Sequence, residues 1–298
     1  MVKAKYMACE VKRMGSTKRV GKAATMVRLM LMEVVIKPTL LANTETWCKV
    51  GEKEANEWKK WQYMVLRVLM EQKKGTPYWG IIAETGSWPY KYIVMYKMFM
   101  FVHNLVNSDE SRIARKILME QSKTTINNNN YYNTIRKAAE KLGVDVGIKQ
   151  LEKVKKSSWK TTLKKAINKQ ILNEIGEEVA TKTKMRFISK TSMEPEEYVK
   201  KLNMKEVSTI MRLKLNMVET KSNYPNGDDR RCIMCGEEDE TTEHLFKCPK
   251  YRTLSGHKLV WSDEGEHWTD LSWLKEAVQV VERIEEIRKR EIERQNSK

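Results

Sequence analysis

Cysteine, proline and acidic side chains are in short supply in this chain, and long apolar runs are missing altogether. Five cysteines are too few, and odd in number, for a disulfide framework. Three of them crowd between positions 232 and 248, which suits a metal site in a reducing compartment. No stretch supplies the ~20 apolar residues of a membrane helix; the most apolar one, residues 26–36, is broken by Arg28 and Glu33. Residues 1–28 are basic and lack the apolar core of a signal peptide. The expectation is a soluble intracellular protein, nuclear or cytoplasmic, and not a secreted one. Neither a glycine-rich phosphate loop nor a nucleophile elbow is present.

Positive charge is what the chain has in excess. Lys plus Arg number 56 against 39 Asp plus Glu, a net charge of +17. A field of that sign draws polyanions over a Debye length of roughly 8–10 Å, so RNA or DNA is the expected partner. Apolar residues make up 41% of 298, enough for packed cores in about two domains and too many for a disordered basic tail.

Apolar steps of three and four residues recur along the chain and strands are scarce, so the expected fold is mainly α: helical bundles, a small zinc knuckle and a C-terminal helix. Composition divides it into a basic arm (1–24), a helical domain (25–122), a lysine-rich helical region (123–226), the knuckle (227–252) and the C-terminal helix (253–298). Within the second segment, a helix with Met26, Leu29, Met30, Val34 and Ile36 inside should stop at Pro38. A second helix presents Ala55, Trp58, Trp61, Met64, Val65, Val68 and Leu69 on one face. A third should bury Ile113, Ile117 and Leu118. The run 127–130 is a polar spacer. Between 149 and 169 stand eight lysines against Glu152, while Leu163, Ile167, Ile171 and Ile175 form an apolar stripe four apart. In the tail, Leu274, Val278, Val281, Ile284 and Ile287 fall near 3.5 spacing. Residues 271–294 are therefore a candidate surface for self-association or a partner protein.

Cys232, Cys235, His244 and Cys248 follow the pattern C-x2-C-x8-H-x3-C. A two-residue gap lets two thiolates from one turn share a cation, and Gly236 permits the reversal behind them. His244 and Cys248 stand one helical turn apart, with Pro249 ending that helix. Four protein ligands complete a tetrahedron and leave no place for a reactive water, so one structural Zn2+ is expected. The loop Glu237-Glu238-Asp239-Glu240 repels phosphate, while Phe246 and Tyr251 are candidate stacking platforms. Gripping nucleic acid and buttressing neighbouring helices are both open to such a knuckle. The candidate phosphate contacts are Lys12, Arg13, Lys18, Arg19 and Lys22 in the arm, and Lys153, Lys155, Lys156, Lys160, Lys164 and Lys165 in the middle. Arg230 and Arg231 beside the knuckle complete the set.

The stretch Leu40-Leu41-Ala42-Asn43-Thr44-Glu45-Thr46-Trp47 and the helix from Trp58 to Leu69 resemble the thumb of non-LTR (LINE-like) retrotransposon reverse transcriptases. Gly75-Thr76-Pro77, Trp88-Pro89, Tyr96-Lys97 and His103-Asn104 are similar to the region that follows. Asn223-Tyr224, Asp228-Asp229 and Cys232 to Cys248, with Thr242-Glu243-His244-Leu245, look like the C-terminal cysteine–histidine knuckle of those elements. The resemblance covers roughly residues 20 to 250. It implies a thumb-like helical domain, a structural zinc ion and binding near a template–primer duplex. The palm departs from the pattern. Its paired aspartates need a strand hairpin, whereas Asp228-Asp229 sits in a turn between Tyr224-Pro225-Asn226-Gly227 and Arg230-Arg231. No enzymatic activity of its own is expected. Asp263, Glu264, Glu266, His267 and Asp270 read as a solvated loop before the tail helix, His103 as a packed histidine, and Cys9 and Cys48 as unpartnered.

Overall fold

Turn and cap residues decide where the helices of this chain begin and end. A computed structural model describes residues 2–15, 21–46, 51–125, 129–223, 229–259, 261 and 265–297. In chain order the helices are α1 (Val2–Met14), α2 (Ala24–Leu31, running through a π turn at Met32–Ile36 into Lys37–Leu40), α3 (Glu52–Leu69), α4 (Tyr78–Thr85) and α5 (Tyr90–Val106). There follow α6 (Ile113–Ser122), α7 (Tyr131–Leu142), α8 (Ile148–Lys153), α9 (Lys156–Thr181), α10 (Glu197–Lys201) and α11 (Met204–Lys214). The last three are α12 (Thr242–Lys247), α13 (Pro249–Ser255) and α14 (Leu271–Asn296). Among the described residues there is no strand, only a single bridge between Arg231 and Asp239, so the fold is mainly α as the periodicity requires. Asn130 caps α7 by accepting from the Asn133 N–H, and Asn203 with Glu206 forms a reciprocal capping box on α11.

Two hydrophobic cores form, and α9 serves both. One gathers Trp58, Tyr90, Phe99, Leu118, Tyr132 and Leu151 around Trp159 and Leu163. The other joins α1, α2, α4, α11, the knuckle and α14 to Ile167, Ile171 and Ile175. The spacing explains the division. At ~100° per residue a strict step of four overshoots one turn by about 40°, so the apolar seam winds around α9 from the first core to the second. Lysines occupy the remaining surface of its first half.

Several apolar positions lie differently from the sequence expectation. Helix α2 does not stop at Pro38. Proline offers no N–H to the residue four back and crowds that carbonyl; the wider π turn before it relieves both, and the helix continues to Leu40. Met32 and Ile36 are buried, while Met30, Val34 and Val35 lie on the surface. On α6 only Leu118 is buried; Ile113 and Ile117 are 75% and 53% exposed. Spacing alone cannot tell a helix's core face from an apolar face left outside. On α3 the surprise is Gln62, fully buried among apolar neighbours. It donates to the Trp88 carbonyl at 2.7 Å and accepts from the Tyr78 hydroxyl and the Tyr90 N–H at 2.8 and 2.9 Å, clamping α3 to the α4–α5 turn.

The basic opening segment is a docked helix. Ala8 and Val11 of α1 are buried, and Arg28, 3% exposed, donates to the carbonyls of Gly15 and Leu69 and to Glu71. The tail is docked too. Leu274, Val278, Val281 and Ile284 of α14 are buried in the core, and Lys205–Glu282, Arg212–Glu285 and Arg288–Glu240 ion pairs flank that seam. The apolar stripe that made 271–294 a candidate partner surface is thus occupied within the molecule.

Gly86 ends α4 in the left-handed conformation (φ +64°), and an added Cβ would lie 2.6 Å from backbone atoms of Glu194 and Pro195. Left-handed backbone costs a non-glycine residue roughly 1–2 kcal/mol before any clash. Gly86→Ala is therefore expected to lower stability by about 2 kcal/mol or more in urea unfolding, and an unshifted midpoint would refute the close approach.

Candidate metal centre

The cluster is assembled by two short pieces of local structure. Arg231 and Asp239 bridge across a tight loop in which Cys232 donates its N–H to the Glu238 carbonyl at 2.7 Å and Gly236 donates to the Cys232 carbonyl at 2.9 Å. Gly236 turns the chain with φ +76°. Opposite, Thr241 caps α12 by accepting from the His244 N–H at 3.0 Å. Cys248 is the junction between two helices, its N–H bonded to the His244 carbonyl at 2.7 Å. Pro249 therefore does not simply end the ligand helix. It opens α13 at a position where its missing N–H has no helical acceptor anyway.

Cys232, Cys235, His244 and Cys248 bring their ligand atoms within 4.8 Å of one another, a set that can hold a metal ion. The Cys232 and Cys248 sulfurs are 4.0 Å apart, and Cys235 Sγ is 3.4 Å from His244 Nε2. Tetrahedral edges for metal–sulfur bonds of about 2.3 Å and metal–nitrogen bonds of about 2.0 Å are roughly 3.8 Å and 3.5 Å, so both separations match a four-coordinate shell. His244 Nδ1 meets Glu238 Oε2 at 2.9 Å. This fixes the ring with Nε2 toward the thiols, the usual outer partnership of a metal-bound histidine. Burial pushes the Cys232 thiol up to about 12 and raises Cys248. Burial also raises Cys235, but the N–H groups of Glu237 and Glu238 and the His244 ring outweigh it and bring that thiol down to about 7.

The surroundings show which way the knuckle faces. Phe246 and Tyr251 are 1% and 0% exposed, so neither is a stacking platform for a base. Phe246 packs on Trp261, which with Phe187 and Trp268 makes an aromatic cluster between knuckle and tail. Within the acidic loop, Glu240 is fully buried. It pairs with Arg288 of α14 at 3.0 Å and accepts from the Tyr251 hydroxyl and the Lys221 N–H. No local spacing announces that contact, because its partner lies 48 residues away.

The basic candidates divide. Lys12 is paired with Glu71 at 3.1 Å, Arg13 with Glu10 at 2.7 Å and Arg231 with Asp229 at 3.3 Å. Lys22 and Arg230 are exposed. Lys153, Lys155, Lys156, Lys160, Lys164 and Lys165 are all exposed, and none forms an ion pair among the described residues. The side chains of Lys3 and Lys5, together with Lys18, Arg19, Trp47, Cys48, the spacer residues Asn127 and Asn128, Tyr224, Asp228, Asp263, Glu264 and the side chain of Glu266, lie outside what is described. Asp270 caps α14 by accepting from the Ser272 N–H, and His103 is buried with Nε2 donating to the Val154 carbonyl. Among the described residues no helix is long and apolar enough to cross a membrane. No family model, curated protein or solved structure matches the chain.

Proposed function

We propose that the chain is a nucleic-acid-binding part of a non-LTR reverse transcriptase, without catalysis of its own, in which a zinc-held knuckle braces a lysine-bearing helix bundle. The reading rests on one observation above all: the lysines along α9 stand exposed in rows on one helix, with no ion pair among the described residues. Lys156, Lys160 and Lys164 stand four apart as one row, with Lys165 and Lys169 as the next. Such rows track a phosphate backbone by charge and carry no base information. The knuckle, with its aromatics turned inward and Glu240 tied to α14, serves as a brace in this reading. The thiolate-rich tetrahedral donor set favours zinc over magnesium, calcium or manganese.

Binding of single-stranded RNA and of duplex DNA by the full chain should weaken steeply with salt. Each neutralised phosphate contributes a slope of about −0.7 on single strands and −0.9 on duplex in log K against log salt, so a row of four to six contacts gives roughly −3 to −5. Anisotropy titrations at several salt concentrations read this directly, and a flat salt response would remove the phosphate role of α9. Metal analysis should return one zinc per chain, and a different ion would correct the metal alone.

A further inference from the structure

Helix α6 is apolar on two sides. Leu118 is buried, while Ile113 and Ile117, one turn apart, are 75% and 53% exposed. Beside this ridge runs a groove of about 240 Å³ between α5, α6 and the start of α7. Phe101, Leu105, Ala114, Ile117, Leu118 and Tyr131, among others, line it. A cavity of roughly 150 Å³ holds a benzene ring, so the groove admits a bulky apolar side chain. Its polar lining is already satisfied from within. The Tyr131 hydroxyl donates to the Glu45 carbonyl at 2.6 Å, the Thr46 hydroxyl to the Asn43 carbonyl at 2.9 Å, and Gln121 Oε1 accepts from the Tyr132 N–H at 3.3 Å. What the groove offers a ligand is therefore apolar burial. An apolar ridge and groove on a strongly charged chain mark a contact site.

Geometry and charge choose the occupant. Among the described residues there is no strand for a partner to extend, which leaves the helix-in-groove mode. Helix α6, ten residues and about 15 Å long, gives a partner helix a track of nearly three turns. At ~100° per residue, Ala114, Leu118 and Gln121 fall on the groove side of the Ile113–Ile117 ridge, and Arg112 and Lys116 on the other. The acids of this face, Glu110 and Glu120, are paired with Arg115 at 3.4 Å and Lys123 at 2.6 Å. Arg112 and Lys116 are exposed and form no ion pair among the described residues. A second copy of the chain would bring a further charge of +17 against them, which opposes self-association.

We propose that this face docks an amphipathic helix of a partner protein, apolar on one side and acidic along one flank. A large side chain of the partner enters the groove, its neighbours one turn away cover Ile113 and Ile117, and its acidic flank meets Arg112 and Lys116. Apolar burial supplies the affinity, and the two bases fix the orientation. The inference does not depend on the α9 lysines, and its failure leaves the nucleic-acid reading untouched.

The probe is a fluorescein-labelled designed peptide of about fifteen residues, long enough to hold a helix. It carries Leu, Phe and Leu at steps of three and four, with glutamates along one flank. Its controls are a scrambled peptide of the same composition and a version with lysines in place of the glutamates. Anisotropy titration of the full chain is expected to show the probe binding more tightly than either control. Ile113→Ser with Ile117→Ser should cost roughly tenfold or more in affinity, because two large aliphatic side chains leave the contact. Both are exposed, so folding should be unaffected. Arg112→Glu with Lys116→Glu should turn the preference to the lysine version, a reversal that general attraction between a basic chain and an acidic peptide would not give. No binding of the probe, equal binding of the scrambled peptide, or an unchanged affinity in the isoleucine variant overturns the docking site. A dimer of the unaltered chain in sedimentation, abolished in the isoleucine variant, would assign the groove to a second copy and overturn the acidic partner.

Discussion

Stripping the metal, or replacing Cys235 by serine, is expected to release the knuckle and expose the aromatic cluster it packs on. Binding free energies of about 10–16 kcal/mol are typical for such sites near neutral pH, and that energy is folding energy for a segment with little core of its own. Here the segment is also part of the larger core. Leu245, Phe246, Cys248 and Tyr251 are buried in it, and Glu240 reaches Arg288. Loss of the ion should therefore loosen α14 as well as the loop. Hydrogen exchange and limited proteolysis with and without a chelator would show it, as deprotection confined to the knuckle and the tail while α5 to α8 stay protected. Equal protection in both conditions would mean that packing alone holds the knuckle. The pH dependence has a definite sign. Metal binding displaces the protons of Cys232 and Cys248, whose thiols are raised by burial, and part of one from Cys235 near 7. Affinity must then fall as pH falls, by roughly two to three protons per ion around neutral pH. A metal affinity independent of pH between 6 and 8 would contradict the thiolate assignment.

The cysteine–histidine cluster that can hold a metal ion was legible because its chemistry is local: two thiols three residues apart, a glycine behind them, a histidine and a cysteine one turn apart. Helical class was legible for the same reason, since the apolar steps on α3, α9 and α14 are short-range patterns. What the sequence did not disclose are the contacts made across it. Nothing in the apolar spacing of α3 singles out Gln62, and only the fold brings it under Trp88 and Tyr90. Arg28 read as a break in an apolar stretch and is a buried staple between α1, α2 and α3. The misplacement of Phe246 and Tyr251 has a related cause. Aromatic residues beside basic ones fit either a base platform or a core, and the rings that pack on Phe246, those of His257 and Trp261, lie further along the chain. Periodicity likewise gave Ile113 and Ile117 a face but not a neighbour.

The most consequential of these cross-chain contacts is the Glu84–Lys214 ion pair. Their side chains are 1% and 3% exposed and meet at 3.0 Å. The Tyr198 hydroxyl, pushed well above its ordinary range by burial and then by the facing carboxylate, stays protonated and donates to Glu84 at 2.5 Å. The Lys214 ammonium also lies over the Tyr198 ring, 5.6 Å from its centre. Three helices, α4, α10 and α11, meet in this one polar knot, and just past α11 Asn216 accepts from the Thr242 hydroxyl of the knuckle at 2.6 Å. Lys214→Met should leave a carboxylate buried without its counter-charge, a change that costs about 3–5 kcal/mol. Adding Glu84→Leu should recover much of that loss, because the desolvation cost disappears with the charge and two well-packed apolar side chains replace the pair. Denaturant unfolding of both single variants and the double variant separates the alternatives. A single variant losing under about 1 kcal/mol would mean that water reaches the pair. A double variant as unstable as the worse single one would mean that the knot contributes through its geometry, holding α4 and α11 in register for the knuckle they support, and not through charge.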